Sequence, residues 1–356
     1  MRSIRFYLLI ALVIAAGSLL NGCKEPFDPL VDVEMPLMVV DGLITTEKKS
    51  HEIRIFYSQG YNDSEMPTPV FNASVHVHDQ EGSFIHLTEI SPGRYFTPSN
   101  FAAEVGKQYV LEVQTQDGLF LRSRPQEVLP PASVDSIHGN LSTFPYLEQR
   151  VDGSYFIQTY QGVDSYINIH NTGDDPRVRY QPQVLLLYGY YVPDPPSVPI
   201  FVYAWRKYGA PGLPSVSHTG LQAGQSALKN HFLMFVPESR RYYRLSEDEF
   251  ITGKYIIIRQ YRLNEDAHAF HKARAKQLSA DGSLFDPIAS QLPTNVFSVN
   301  DSDVKILGLF EVSAYSSQTF RFMAIPELEE IRFTPFSDLD YLSNTGELLD
   351  DMPYFW

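Results

Sequence analysis

The stretch GKQYVLEVQTQDGLFLRS, residues 106–123, carries the clearest structural signal in the chain. Its aromatic and β-branched residues are typical of strands. Asp117-Gly118 is among the strongest short-range signals for a two-stranded hairpin. The apolar residues after Gly118 supply the returning strand. This segment therefore predicts a β-hairpin.

Similar strand signals extend on the N-terminal side of this hairpin. Residues 51–57 and 73–79 alternate between polar and apolar types, which is the period of a half-buried strand. Residues 84–89 follow a Gly-containing turn and predict a second hairpin. With the apolar segment 37–45, about seven short strands are expected over residues 36–130. This spacing predicts an N-terminal β-sandwich that resembles Ig-like or carboxypeptidase-regulatory-like domains.

Pro125, Pro130 and Pro131 indicate a domain boundary near residue 130. A second, mainly β domain is expected over residues 131–326, and residues 327–356 form an acidic, aromatic tail. The sequence thus predicts a mainly β protein of two β-sandwich-like domains. The strands expected in the second domain are 155–160, 165–170, 184–191, 232–236, 255–261, 304–312 and 319–323.

One helix is predicted in the second domain, over residues 265–279. Asn264 is a favourable N-cap residue, and the acidic Glu265 and Asp266 suit the positive end of the helix dipole. The expected apolar stripe consists of Ala267, Phe270 and Leu278.

The N-terminus is typical of a lipoprotein signal peptide. Arg2 and Arg5 precede the apolar run 6–20, which is too short for a permanent membrane span. The run ends in Leu-Asn-Gly-Cys, with a small residue before Cys23, as in a lipobox. We therefore predict a signal peptide over residues 1–22, a lipid thioether on Cys23 and a tether over residues 23–35. Because Cys23 is the only cysteine, disulfides within the mature chain and cysteine-based metal sites are excluded.

The charge balance also limits the function. The chain has 28 basic and 42 acidic residues, a formal net charge of −14, so no nucleic-acid partner is expected. The short charged stretch KEPFDP, residues 24–29, resembles the export signal of surface lipoproteins in Bacteroidota. We expect a lipid-anchored protein of the outer membrane, exposed at the cell surface.

Two histidine pairs are candidate metal ligands. His76 and His78 lie on one face of a predicted strand, with His86 nearest on the paired strand, but a third ligand is not evident. His268 and His271 lie three apart on the predicted helix. In both cases a solvent-exposed polar face is the expected interpretation, so no metal site is predicted.

Aromatic residues between residues 188 and 208 are the strongest candidates for ligand binding. Tyr and Trp are enriched at binding hot spots and stack on sugars, although core packing of a sandwich is the competing explanation. No Gly-x-Ser-x-Gly elbow, phosphate loop or dinucleotide fingerprint occurs, so neither a catalytic site nor a cofactor is expected. The binding candidates are Tyr190, Tyr191, Tyr203 and Trp205.

Several ordered motifs resemble one family. These are VVDGLIT at residues 39–45, the segment 93–109, YIIIRQY at 255–261, GSLFDP at 282–287 and VKILGLF at 304–310. Their order is similar to that of the uncharacterised Bacteroidota lipoproteins called domain of unknown function forty-two forty-nine. Many members of this family have cysteines in the middle region, which this chain lacks.

The resemblance implies an outer-membrane lipoprotein, often encoded beside TonB-dependent receptors, without a known enzyme activity. We therefore expect a binding protein for nutrient capture that is not an enzyme. The alternatives are a surface hydrolase acting on glycans or peptides and a structural or adhesive lipoprotein. A buried carboxylate pair in a deep cleft would favour the hydrolase, and an exposed aromatic patch would favour the binding protein.

Overall fold

The computed structural model describes residues 36–59, 66–132, 134–170, 177–192, 200–209, 227–238, 243, 245, 247, 249–278, 291–325, 330–336 and 347–348. One compact unit consists of Leu37–Ser58 and Pro67–Trp356. The other consists of Met1–Pro36 and Gln59–Met66, of which only residues 36, 59 and 66 are described. The predicted signal peptide, Cys23 and the tether lie outside the described residues.

Short strands fill the first third of the chain. The hairpin predicted at residues 106–123 is confirmed, because two of these strands pair antiparallel across a turn in which Gly118 has a φ of 89°. The strands are β1 (Met38–Thr45), β2 (Glu52–Tyr57), β3 (Thr68–Pro69), β4 (Ser74–Asp79), β5 (Phe84–His86), β6 (Thr88–Ser91), β7 (Arg94–Phe96), β8 (Gln108–Gln114), β9 (Phe120–Ser123) and β10 (Gln126–Glu127).

Longer strands and one helix follow among the described residues. The strands are β11 (Ser136–Gln149), β12 (Tyr155–His170), β13 (Val178–Val192), β14 (Ile200–Gly209), β15 (Ala227–Pro237), β16 (Phe250–Arg262), β17 (Val296–Ser298), β18 (Ile306–Ile325), β19 (Glu330–Pro335) and β20 (Glu347–Leu348). The helix α1 spans Glu265–Leu278. The predicted mainly β fold with one helix is thus confirmed for the part of the chain that is described.

Three sheets organise these strands. The largest has eleven strands in the order β20-β14-β13-β16-β18-β1-β2-β7-β6, with β19 beside β18 and β3 beside β2. A six-stranded sheet has the order β17-β9-β8-β4-β5, with β10 beside β8. The third sheet consists of β11, β12 and β15. The long strand β18 therefore joins strands from both halves of the chain in one sheet.

The pairing of β1 with β18 is parallel and places Val40 opposite Gly308. Gly308 has a φ of 97°, a conformation that other residues rarely adopt. A Cβ atom at this position would overlap the carbonyl oxygen of Val40. Glycine is thus required here both for its backbone conformation and for the close approach of the two strands.

Two main hydrophobic cores lie within the compact unit. The second core draws its buried residues from the range 134–322. The first draws on the range 38–128, and also on Val296, Ile306, Phe310, Val312 and Ala314. In addition, β17 pairs with β9 in the six-stranded sheet. Hydrophobic contacts and strand pairing thus join residues on both sides of the predicted boundary near residue 130. The boundary itself stays a prediction.

The helix α1 begins as predicted. The side-chain oxygen of Asn264 accepts a hydrogen bond from the backbone N–H of Ala267 at 3.0 Å, which confirms the N-cap. Asp266 in the first turn accepts two hydrogen bonds from Arg124, at 3.0 and 2.6 Å, and one from Gln126. Of the predicted apolar stripe, Ala267 is buried and Leu278 is exposed. Within the described residues, no helix is long and apolar enough to cross a membrane.

Candidate interaction site

The hairpin of β11 and β12 extends beyond its sheet. The strand β15 pairs with β12 only from Gly162 to His170. Residues 143–161, which we call the hairpin arm, therefore pair only with each other among the strands that the structure describes. An isolated two-stranded hairpin is only marginally stable in water, so contacts with neighbouring elements matter for the arm.

One face of the hairpin arm is exposed and has an apolar centre, and we call it the apolar face. Leu147 and Ile157 lie directly opposite each other, with 60% and 70% of their surfaces exposed. Tyr155 is 63% exposed two pairs further towards the tip, and Val151 in the turn is also exposed. Burial of such side chains contributes about 1.5–3 kcal/mol each. A cluster of large apolar side chains in water is therefore a strong candidate for contact with another molecule.

The opposite face of the hairpin arm is held by aromatic packing. Phe144 stacks on Phe235 of β15, with ring centroids 5.4 Å apart. Tyr160 is buried, and its hydroxyl donates a hydrogen bond to the Glu148 carboxylate. Gly162 lies against the Phe235 ring, where a Cβ atom would collide with it. The base of the hairpin arm is thus supported from behind, and a supported surface loses less entropy on binding.

The tip of the hairpin arm is a tight, hydrogen-bonded turn. The N–H of Gly153 donates to the carbonyl of Arg150 at 2.9 Å, and the N–H of Ser154 donates to the Asp152 carboxylate at 2.9 Å. The side-chain and backbone hydrogen bonds from Ser154 lower the pKa of Asp152. Beside it lies an open depression of about 530 Å³, lined by Glu148, Gln149, Arg150, Val151, Asp152 and Phe156.

Half of this site is absent from the sequence-based prediction. Strands are predicted for residues 155–160 and 165–170, whereas β11 is not. One signal could have located β11: the Asp152-Gly153 pair, which is typical of hairpin turns.

A second depression lies on β1 and β2. It has a volume of about 340 Å³ and contains an exposed ion pair between Asp41 and Arg54. Because its charges have both signs, they do not identify a ligand. Its lining residues are Asp41, Leu43, Thr45, Lys49, Ser50, His51, Glu52 and Arg54.

A buried charge cluster fixes α1 to the largest sheet. Glu311 of β18 accepts a hydrogen bond from Ser313 at 2.8 Å, and it lies 2.7 Å from Nε2 of His271 and 3.3 Å from Nη2 of Arg179. Burial by itself would raise the pKa of Glu311, but the nearby Arg179 and His271 lower it to about 2. The guanidinium of Arg179 also lies 4.1 Å from the centre of the Tyr261 ring. The partners of this carboxylate are thus two basic side chains and a hydroxyl.

The structure corrects one of the two histidine interpretations. The expected solvated helix face is wrong for His271, which is 6% exposed and bonded to Glu311. His76 and His86 lie directly opposite each other on β4 and β5. Between described side chains, no set of three or more His, Cys, Asp or Glu residues is arranged to hold a metal ion.

The aromatic binding candidates lie on two adjacent strands. Tyr190 and Tyr191 belong to β13, and Tyr203 and Trp205 belong to β14. The register places Tyr203 opposite Gly189 and Trp205 opposite Leu187. The side chains of all four candidates lie outside the described residues, so their role in binding stays a prediction.

The described residues define a mainly β protein with three sheets and an exposed, supported hairpin arm. The model of the family described as Domain of unknown function (DUF4249) matches residues 24–319. This span covers most of the 356 residues, so the chain belongs to that family, and the resemblance in the sequence motifs is confirmed. No curated protein matches the chain.

Proposed function

We propose that the chain is an acylated, surface-exposed lipoprotein of the outer membrane that binds a TonB-dependent receptor during nutrient capture. The single observation that carries the binding role is the exposed apolar face of the hairpin arm. The anchor is inferred from the lipobox before Cys23, and the receptor from the resemblance of the sequence motifs to outer-membrane lipoproteins. Neither the inferred anchor nor the inferred receptor depends on which nutrient is bound.

A lipid anchor would place the hairpin arm near its partner. The compact unit begins at Leu37, fourteen positions after Cys23 (37 minus 23). Fourteen residues span at most about 50 Å when fully extended. Confinement within this distance of the membrane raises the effective concentration of the folded part of the chain towards any neighbouring membrane protein. A modest apolar surface can therefore support a stable complex.

The apolar face of the hairpin arm suits a protein partner. Its centre is the Leu147–Ile157 pair, with Tyr155 beside it, and Arg150 and Asp152 lie near the tip. This combination of an apolar centre and a polar margin is typical of protein interfaces, in which a few large side chains carry most of the binding energy.

Replacing Cys23 with serine is expected to abolish lipid attachment. Serine has no thiol, so the thioether to a diacylglycerol cannot form. Cells fed a clickable fatty acid should label the wild-type chain and a Lys24→Ala control, whereas Cys23→Ser should be unlabelled and lost from the outer-membrane fraction. Retention of the label by Cys23→Ser would contradict the anchor.

Replacing Ile157 with aspartate is expected to reduce receptor binding at least about tenfold, because a charge at the centre of the apolar face must be desolvated on binding. The full-length lipoprotein would be recovered from solubilised outer membranes, and a co-purified TonB-dependent receptor would be quantified by mass spectrometry.

The matched control for this experiment is Ile90→Asp. Ile90 has the same exposure as Ile157, 70%, but lies on β6. Equal receptor recovery with both variants would argue against the hairpin arm as the contact. Recovery of wild-type protein without any such receptor would argue against the partner itself.

A further inference from the structure

His76 and His86 form a close pair on the exposed side of the six-stranded sheet. They occupy opposed positions on the antiparallel strands β4 and β5. Their Nδ1 atoms are 3.2 Å apart. The strand β4 is held on its other side by β8, and the N–H of Leu87 donates to the carbonyl of Val75 at 3.0 Å. The backbone therefore fixes the separation of the two imidazoles.

The distance between the two nitrogens matches the spacing of metal ligands. Zinc–imidazole bonds are about 2.0–2.1 Å long, so two ligands of a tetrahedral zinc ion lie about 3.3 Å apart. A square-planar ion would bring them to about 2.8 Å. The observed 3.2 Å is closer to the tetrahedral value.

Ser74 orients one of the two rings. Its Oγ lies 2.8 Å from Nε2 of His76. The tautomer with its proton on Nε2 donates to this hydroxyl and leaves the lone pair of Nδ1 directed towards His86. A metal-binding histidine usually makes a hydrogen bond through its other ring nitrogen, because this bond fixes both the tautomer and the ring orientation.

Neighbouring side chains provide an apolar cover and a negative charge. The ring of Phe84 lies 4.8 Å from the His76 ring, centre to centre. Glu112 of β8 is directly opposite His76, and its carboxylate pairs with His78 at 3.4 Å and Arg122 at 3.5 Å. His78 therefore pairs with the Glu112 carboxylate, whereas His86 pairs with His76.

We infer that Nδ1 of His76 and Nδ1 of His86 bind one zinc ion at the surface of the β4–β5 hairpin. Two water molecules complete the tetrahedron, because the described residues supply only this pair of ligands. Without the ion, a single proton shared between the two nitrogens accounts for the same short separation, and zinc displaces that proton. The site is open on the side of His86, which is exposed.

Replacing His86 with alanine is expected to weaken zinc binding at least about tenfold, since one of the two protein ligands is lost. The full-length acylated protein in detergent micelles, without a histidine tag, would be titrated with zinc chloride in a calorimeter. The variants His76→Ala and Ser74→Ala should also bind more weakly, whereas wild type should bind one ion at this pair.

The matched control is His138→Ala. His138 is a partly buried strand histidine whose ring stacks on Tyr166 at 5.7 Å, as His76 packs on Phe84, and it should leave zinc affinity unchanged. Imidazole NMR should show that zinc perturbs Nδ1, rather than Nε2, of His76. Unchanged affinity in both His76→Ala and His86→Ala, perturbation at Nε2, or no binding to wild type would overturn the inference.

Discussion

Replacing Gly308 with alanine is expected to destabilise the protein by about 3–5 kcal/mol. The φ of 97° costs an alanine about 1–3 kcal/mol, and the overlap of its Cβ with the Val40 carbonyl adds a steric cost of similar size. The first effect is local, but the second separates β1 from β18 in the middle of the largest sheet. Chemical denaturation followed by circular dichroism would measure the change.

The variant Gly118→Ala separates the cost of the backbone conformation from the cost of the steric overlap. Gly118 has a φ of 89°, but a Cβ at this turn would meet nothing within 4 Å. This control should lose only about 1–2 kcal/mol, the cost of the left-handed conformation. Equal losses in the two variants would show that the close approach of β1 to β18 does not contribute.

Replacing Glu311 with alanine is expected to cost about 3–5 kcal/mol, because Arg179 and His271 would be left without their shared carboxylate. The exposed pair of Asp41 with Arg54 provides the control, and Asp41→Ala should cost no more than about 1 kcal/mol. Thermal unfolding of the two variants would distinguish them. Equal losses would contradict a structural role for the buried cluster.

The lowered pKa of Glu311 predicts how the free energy of unfolding depends on pH. Its pKa is about 2 in the folded protein and 4.5 ordinarily, so the unfolded chain takes up the proton more readily. The stabilisation is present above pH 4.5 and is lost as the pH falls towards 2. Unfolding measured across this window should show a steeper acid dependence for wild type than for Glu311→Ala.

Local structure was predictable where neighbouring residues determine it. The hairpin at residues 106–123 and the cap at Asn264 follow from turn chemistry and hydrogen bonding within a few residues. The long-range pairings were not predictable in this way. Met38 pairs with Ile306, and no feature of either segment identifies the other. Alternation predicts a strand but does not select its partner.

The candidate site was only partly predictable for a related reason. The sequence marks residues 155–160 as strand, yet the exposure of Ile157 depends on whether another element packs on that face of the ribbon. The alternating pattern is the same for a strand face that is covered and for one that is not. The burial of His271 likewise depends on Glu311, forty residues away along the chain.

The position of β1 has a mechanical consequence. It is the first strand that the structure describes, and it lies between β18 and β2, bonded to both. A pull applied at Met38 along the strand therefore loads two hydrogen-bond ladders in shear, and their bonds share the force. An edge strand pulled sideways would instead open one bond at a time. In the lipoprotein that we propose, force on the anchor would therefore enter the folded body at a strand suited to resist it.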